Sequence, residues 1–329
     1  MKGATRHWPP REIDLLLQAL HLPAERARRA WKEWSETRPF DAVRPGEARL
    51  LAALGRRLSE LAPDSPHLGR VRGLARADWA RTQATLEASL PAIDLLQRRE
   101  IPFLLYRSAA EHAEGRGRDR LLTQLDILVP YALRPAAVAA LIEGPWRPES
   151  RSPASRSSLH ATVALRNGPQ GRVALRASAL PPFYGTSAQD EQVWEGALEA
   201  KLGGRRVSVP NAESATLLTL AWGAREDGGT WAVELARRLA DTPPDWATVA
   251  ETAPRWHLVA AALGGLRYLQ RTLELPVPER SLRSLEEHAP RWAERASYRA
   301  HLGGSDPAPA SRRMVAALAD RLHWCRTRG

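Results

Sequence analysis

A chain of 329 residues, 43% hydrophobic and 26% charged, has length for two or three domains and too much apolar content to be largely disordered. Its longest apolar run, Leu258 to Leu266, falls short of the roughly 18 residues that a spanning helix needs, and a single cysteine, Cys325, excludes an intrachain disulfide and a cysteine-built zinc site. The net charge of +11 raises nucleic acid as a partner, but only three of 48 basic residues (Lys2, Lys32 and Lys201) are lysine, and the arginines are mostly interleaved with acids, as Arg26, Arg28 and Arg29 are with Glu25 and Glu33, the pattern of solvated helix faces.

The first twenty residues place Arg11, Glu12 and Asp14 ahead of a very short apolar patch and so lack the apolar stretch of a secretory signal. With one cysteine, the compartment expected is a reducing cytoplasm, with no membrane contact. No G-x-x-x-x-G-K-[ST] phosphate loop and no G-x-S-x-G nucleophile elbow occurs, and three lysines leave almost no candidates for Schiff-base chemistry.

Residues 1–99 read as helices. Trp31 and Trp34 lie three apart after Pro23, residues 47–61 set Leu50, Leu51, Leu54, Leu58 and Leu61 on one stripe, and residues 68–99 form a longer amphipathic run kinked or interrupted at Pro91. Residues 100–210 change period, with strands expected at about 102–106, 124–130, 158–166, 171–177 and 205–210, and helices at 108–115, 134–143 and 187–200. Asn167-Gly168 with the residues up to Gly171 makes a hairpin connection between the third and fourth of these strands. Residues 211–329 return to helices opened at Asn211, Asp227 and Asp245, with a loop at 303–310 and a last helix at 312–324. Leu258, Ala261, Ala262, Gly265, Leu266 and Leu269 give one helix a broad apolar face suited to the α/β unit. The fold expected is α+β and helix-rich overall: a small mixed-sheet core flanked by helical N- and C-terminal regions.

Within the second strand, Asp126 sits among Leu125, Ile127, Leu128 and Val129. An ionised carboxylate in a buried strand costs several kcal/mol unless it is paired or ligates a metal. A salt bridge to Arg118 or Arg120 answers that requirement, and so does a divalent cation. Ser108 with Glu111 fits a capping box at the start of the preceding helix, closing its backbone donors. Arg107 and Arg120 can each bind a phosphate or neutralise Asp126. His160 reads as a half-buried strand histidine.

The order of these elements resembles the uncharacterised nucleotidyltransferase family of the polymerase-beta-like superfamily, over residues 25–280. Arg107-Ser108 takes the place of that family's Lys-Gly pair, Arg120 its arginine, Gln124-Leu125-Asp126 its Asp-x-Asp pair, residues 173–177 its third acidic motif, and Val209-Pro210 its Val-Pro, with His160 where members often carry histidine. The resemblance implies a nucleotidyltransferase-like core at 100–210 with Arg107, Ser108 and Arg120 facing a nucleotide and Asp126 facing magnesium. Two acids on alternate strand positions and a third from a neighbouring strand would hold two Mg²⁺ for in-line transfer. Gln124, Ala174 and Arg176 stand where the other acids or a histidine belong. The function expected is therefore that of a catalytically degenerate member binding a nucleotide or a protein partner. Two alternatives stand beside it: an active Mg²⁺ enzyme in which Glu111, Glu114 or Asp119 moves in beside Asp126, and a basic nucleic-acid-binding adaptor.

Overall fold

The computed structural model describes residues 9–117, 120–149, 162–181, 187–223, 229–290 and 292–301. The chain divides into two compact units, one made of residues 1–76 with 219–329 and the other of residues 77–218. The boundaries fall inside two helices, so the helical ends of the chain share a unit and the long helix before residue 99 contributes mainly to the α/β one. Expected features at Arg118, Asp119, His160, Asp227, Cys325, residues 303–310 and residues 312–324 lie outside the described residues.

The helical unit opens with α1 (Arg11–His21), α2 (Ala24–Thr37) and α3 (Pro45–Leu61). The leucine stripe of α3 is buried throughout, and Trp31 and Trp34 of α2 stack with ring centroids 5.3 Å apart. Arg57 of α3 donates to the Leu20 and Leu22 carbonyls, satisfying acceptors that the end of α1 leaves open. After α4 (Leu68–Arg98) and the α/β unit, the chain returns with α8 (Ala212–Gly223), α9 (Thr230–Asp241), α10 (Trp246–Arg255), α11 (Val259–Arg271), α12 (Glu279–Glu287) and α13 (Trp292–His301). Asn211 and Asp245 cap α8 and α10, accepting from the backbone N–H of Ser214 at 2.9 Å and of Ala247 at 3.1 Å. The apolar face of α11 is buried, and Tyr268 on that helix donates its hydroxyl to the buried Asp14 of α1 at 2.6 Å.

In the α/β unit, seven strands form one mixed sheet: β1 (Leu104–Leu105), β2 (Leu125–Leu128), β3 (Arg147–Pro148), β4 (Val163–Asn167), β5 (Gly171–Arg176), β6 (Leu198–Leu202) and β7 (Arg205–Val209). Their order is β3-β4-β5-β2-β1-β7-β6, with β2 parallel to β5, β1 parallel to β7 and the other neighbours antiparallel. The helices of this unit are most of α4, α5 (Ser108–Ala113), α6 (Arg134–Glu143) and α7 (Ser187–Glu195). Alternation divides the sheet. Leu105, Leu125, Ile127, Val173, Leu175, Val207 and Val209 join one apolar core with Ile93 and Leu96 of α4, Ala109 of α5 and Leu141 of α6. Leu104, Tyr106, Asp126, Leu128, Ala174 and Arg176 take the opposite face.

Three elements differ from expectation. Pro91 does not interrupt α4, which runs unbroken from Leu68 to Arg98; Ala92, Ile93 and Leu96 just beyond it are fully buried, and that packing outweighs the lost backbone donor. The helix expected over 187–200 stops at Glu195, and Leu198–Leu202 is a strand paired with β7 through a two-glycine hairpin, Gly203 at φ +54° and Gly204 at φ +80°. Positive φ at both central positions gives the type I′ turn whose twist suits antiparallel strands. Strand β3 pairs with β4 at the sheet edge and was not foreseen. A forked ion pair fastens α4 to β7, with Arg205 Nε and an amino nitrogen 2.6 and 2.7 Å from the two Asp94 carboxylate oxygens.

Candidate functional site

Parallel pairing of β2 with β5 sets Asp126 beside Ala174 and Leu128 beside Arg176. On the other side of β2 the Tyr106 backbone N–H donates to the Asp126 carbonyl at 3.2 Å, so the chain leaves β1 directly over Asp126. It then turns through Arg107, whose φ of +56° and ψ of −136° are unusual for a residue with a β-carbon, before entering α5. That turn brings the Arg107 guanidinium back to the site. One carboxylate oxygen of Asp126 accepts a hydrogen bond from Gln124 Nε2 at 3.0 Å and is ion-paired with an Arg107 amino nitrogen at 3.7 Å and Arg176 Nε at 3.9 Å.

The buried acid is thus paired, with Arg107 from the exit of β1 and Arg176 from the end of β5. At Arg120 the backbone carbonyl accepts from the Thr82 hydroxyl at 3.3 Å and from His112 Nε2 at 3.2 Å. Ser108 is the first residue of α5, adjacent to Arg107. The capping box expected at Ser108 and Glu111 is absent, because the Arg107 turn makes Arg107 itself the N-cap and no side chain caps the helix. Glu111 is instead buried against Arg116, whose Nε lies 3.3 Å from its carboxylate, and Arg116 pairs with Glu114 as well.

Magnesium needs oxygen ligands at about 2.0–2.1 Å in a near-octahedral set. Among the described residues the side chains in contact with Asp126 are an amide N–H and two guanidiniums, the neighbour across the strand pair is Ala174, and Glu111 and Glu114 are paired with Arg116. These residues do not fit a pair of magnesium ions. Among the described residues no group of three or more His, Cys, Asp or Glu side chains stands together as a metal site.

Sequence reasoning did not single out two further groups on this face. Tyr106, the last residue of an apolar run, is wholly buried, and its hydroxyl has no hydrogen-bond partner among the described residues. Burial pushes that hydroxyl's pKa up, and the charges of Arg176, Asp126, Arg107 and Asp190 all act on it. Asp190 of α7 is also buried; its Oδ1 accepts from the Ala179 N–H at 2.8 Å and from the Ser178 hydroxyl at 3.4 Å, while Oδ2 is buried without a partner. Burial raises the Asp190 carboxyl to about 7 against the opposing pull of those two hydrogen bonds. The period-2 pairing of Tyr106 with Leu104 was the one signal available for the tyrosine. Nothing local marked Asp190, one acid in the polar run Gln189-Asp190-Glu191-Gln192.

Chemically, the immediate surroundings of Asp126 are two guanidiniums and an amide N–H, donors suited to an anion and not ligands for a hard metal ion. Comparison with protein-family models, with the curated proteins and with the solved structures found no match. No described helix is long and apolar enough to cross a membrane.

Proposed function

We propose that the α/β unit is a nucleotidyltransferase-like scaffold that binds a nucleotide without metal and has given up group transfer. The observation that supports this most is the convergence of Arg107 and Arg176 on a single oxygen of Asp126, at 3.7 and 3.9 Å. Two guanidiniums face one oxygen of Asp126, so positive charge is gathered on that side of the carboxylate. Asp126 then acts as an internal counter-ion that holds both cations in place while no phosphate is present. A polyphosphate carries more charge than one carboxylate and can offer each planar guanidinium two oxygens, so it competes for the same donors. Ser108, next to Arg107, and Arg120 complete the nucleotide-facing set that the family resemblance suggests.

Thermal denaturation with a nucleoside triphosphate panel, once in Mg²⁺ and once in EDTA, tests this. At a ligand concentration of about 100 Kd the expected stabilisation is about 2.7 kcal/mol. It should be equal in both buffers and fall sharply in Arg107→Ala and Arg176→Ala. Mg²⁺-dependent incorporation of labelled nucleotide that is lost in Asp126→Ala would overturn the proposal in favour of an active enzyme.

A further inference from the structure

We infer that Tyr106 and Asp190 form a receptor for a ribose hydroxyl beside the arginine pair, so that the site reads the sugar of its nucleotide and does not merely hold its phosphates. This rests on the nucleotide-binding reading and adds residues that neither the sequence motifs nor the family resemblance singles out.

Two buried oxygens, Tyr106 Oη and Asp190 Oδ2, lack partners among the described residues. A buried polar atom left unpaired costs roughly 1–3 kcal/mol, so each such atom calls for a reason. The two share one neighbourhood: Asp190 is fastened through Oδ1 to Ser178 and Ala179, just beyond Arg176 on the exit of β5, and Tyr106 immediately precedes Arg107. The charges of both arginines and of Asp190 reach the tyrosine hydroxyl.

Depth then sorts the ligand. The Arg107 and Arg176 side chains are 18% and 15% exposed, whereas Tyr106 and Asp190 are 0% and 6% exposed. Burying a neutral hydroxyl costs far less than burying a phosphate, so the phosphates belong at the arginines and the neutral part of the ligand deeper. A hydroxyl also suits both receptors. Because Asp190 exchanges its proton near neutral pH, its partner has to donate to the carboxylate and accept from the acid, and a hydroxyl does both where a ring N–H only donates.

The test is equilibrium binding to the full chain by calorimetry in EDTA, with three probes: ATP, 2′,3′-dideoxy-ATP and inorganic tripolyphosphate. ATP should bind wild type about tenfold more tightly than either of the others, the size expected of one well-made hydrogen bond. Y106F and D190N, checked for native helicity by circular dichroism, should bring ATP down to the tripolyphosphate affinity while leaving tripolyphosphate itself unchanged. Equal affinities of wild type for ATP and its dideoxy analogue overturn the inference whatever the variants do. So does a pair of variants that alter melting temperature but not the ATP-to-dideoxy ratio, the mark of a buried water between the two oxygens. If tripolyphosphate and ATP both fail to bind wild type, the nucleotide reading falls first and this assignment with it.

Discussion

Asp190 shows how a single buried carboxyl links stability to pH. Its folded pKa, about 7, lies above the ordinary 3.8 because burial disfavours the charged form. The folded state therefore holds a proton that the unfolded chain releases, so its contribution is fully present below about pH 4 and is lost as pH rises toward 7. The pKa difference limits that loss to about 4 kcal/mol. Asp190→Asn keeps the shape and cannot ionise; it should melt higher than wild type at pH 8 and no higher at pH 4, as read by calorimetric scans at the two values. Asp126 sits in a different setting, with one amide hydrogen bond from Gln124 and two guanidiniums within 4 Å. That Asp126 lies buried in a hydrophobic strand and needs a partner was legible from sequence, and so was the presence of arginine at position 176. Which arginines reach it was not legible, because Arg107 arrives through a backbone turn that no residue pattern announces and Arg176 through strand pairing.

At the level of elements, period-2 alternation located β2, β5 and β7 to within about two residues, and the Asn167–Gly171 connection located the β4–β5 hairpin. The β6 strand escaped because Leu-Glu-Ala-Lys-Leu is a sequence of good helix formers with Leu198 exposed; its state is set by pairing with β7, not by its own preference. The legible clue was Gly203-Gly204, a hairpin turn signal. That turn gives a comparison between neighbours. A β-carbon at Gly204 meets nothing within 4 Å, whereas one at Gly203 runs into the Leu90 side chain. Both positions have positive φ, so Gly204→Ala should cost about 1 kcal/mol from backbone conformation alone and Gly203→Ala distinctly more, since Leu90 must also move. Chemical denaturation of the two variants checks the order.

Across the whole molecule, the helical unit responds to pH with the opposite sign. His21, at the end of α1, is lowered from 6.5 to about 4, first by burial and then by the charges of Arg57 and Arg237. Protonating it disfavours the fold, so its contribution is intact above pH 6.5 and is lost as pH falls toward 4, by at most about 3 kcal/mol. His21→Gln should flatten the stability profile between those values, measured by denaturant titration at half-unit steps. The surplus of arginine also looks different at this scale. Arg11 with Glu33, Arg26 with Glu274, Arg29 with Glu25, Arg99 with Glu143 and Arg267 with Glu286 are exposed ion pairs. Many of the cations that composition alone counts toward nucleic acid are therefore spent within the fold, as the interleaved charges along the helices suggest.

The register of β2 against β5 bears on whether this face can be made to hold a metal. Ala174 is the direct neighbour of Asp126 and is 1% exposed, with Arg176 two residues along the same strand. A new acid there, Ala174→Asp, arrives inside a field already governed by guanidinium groups, and its easiest partner is Arg176. That one change gives a closed four-membered ionic lattice, not a cage open to a hard cation. Building a metal site here is consequently a concerted event: the arginines must leave before added acids can serve a metal, and each intermediate step strands a charge in the interior.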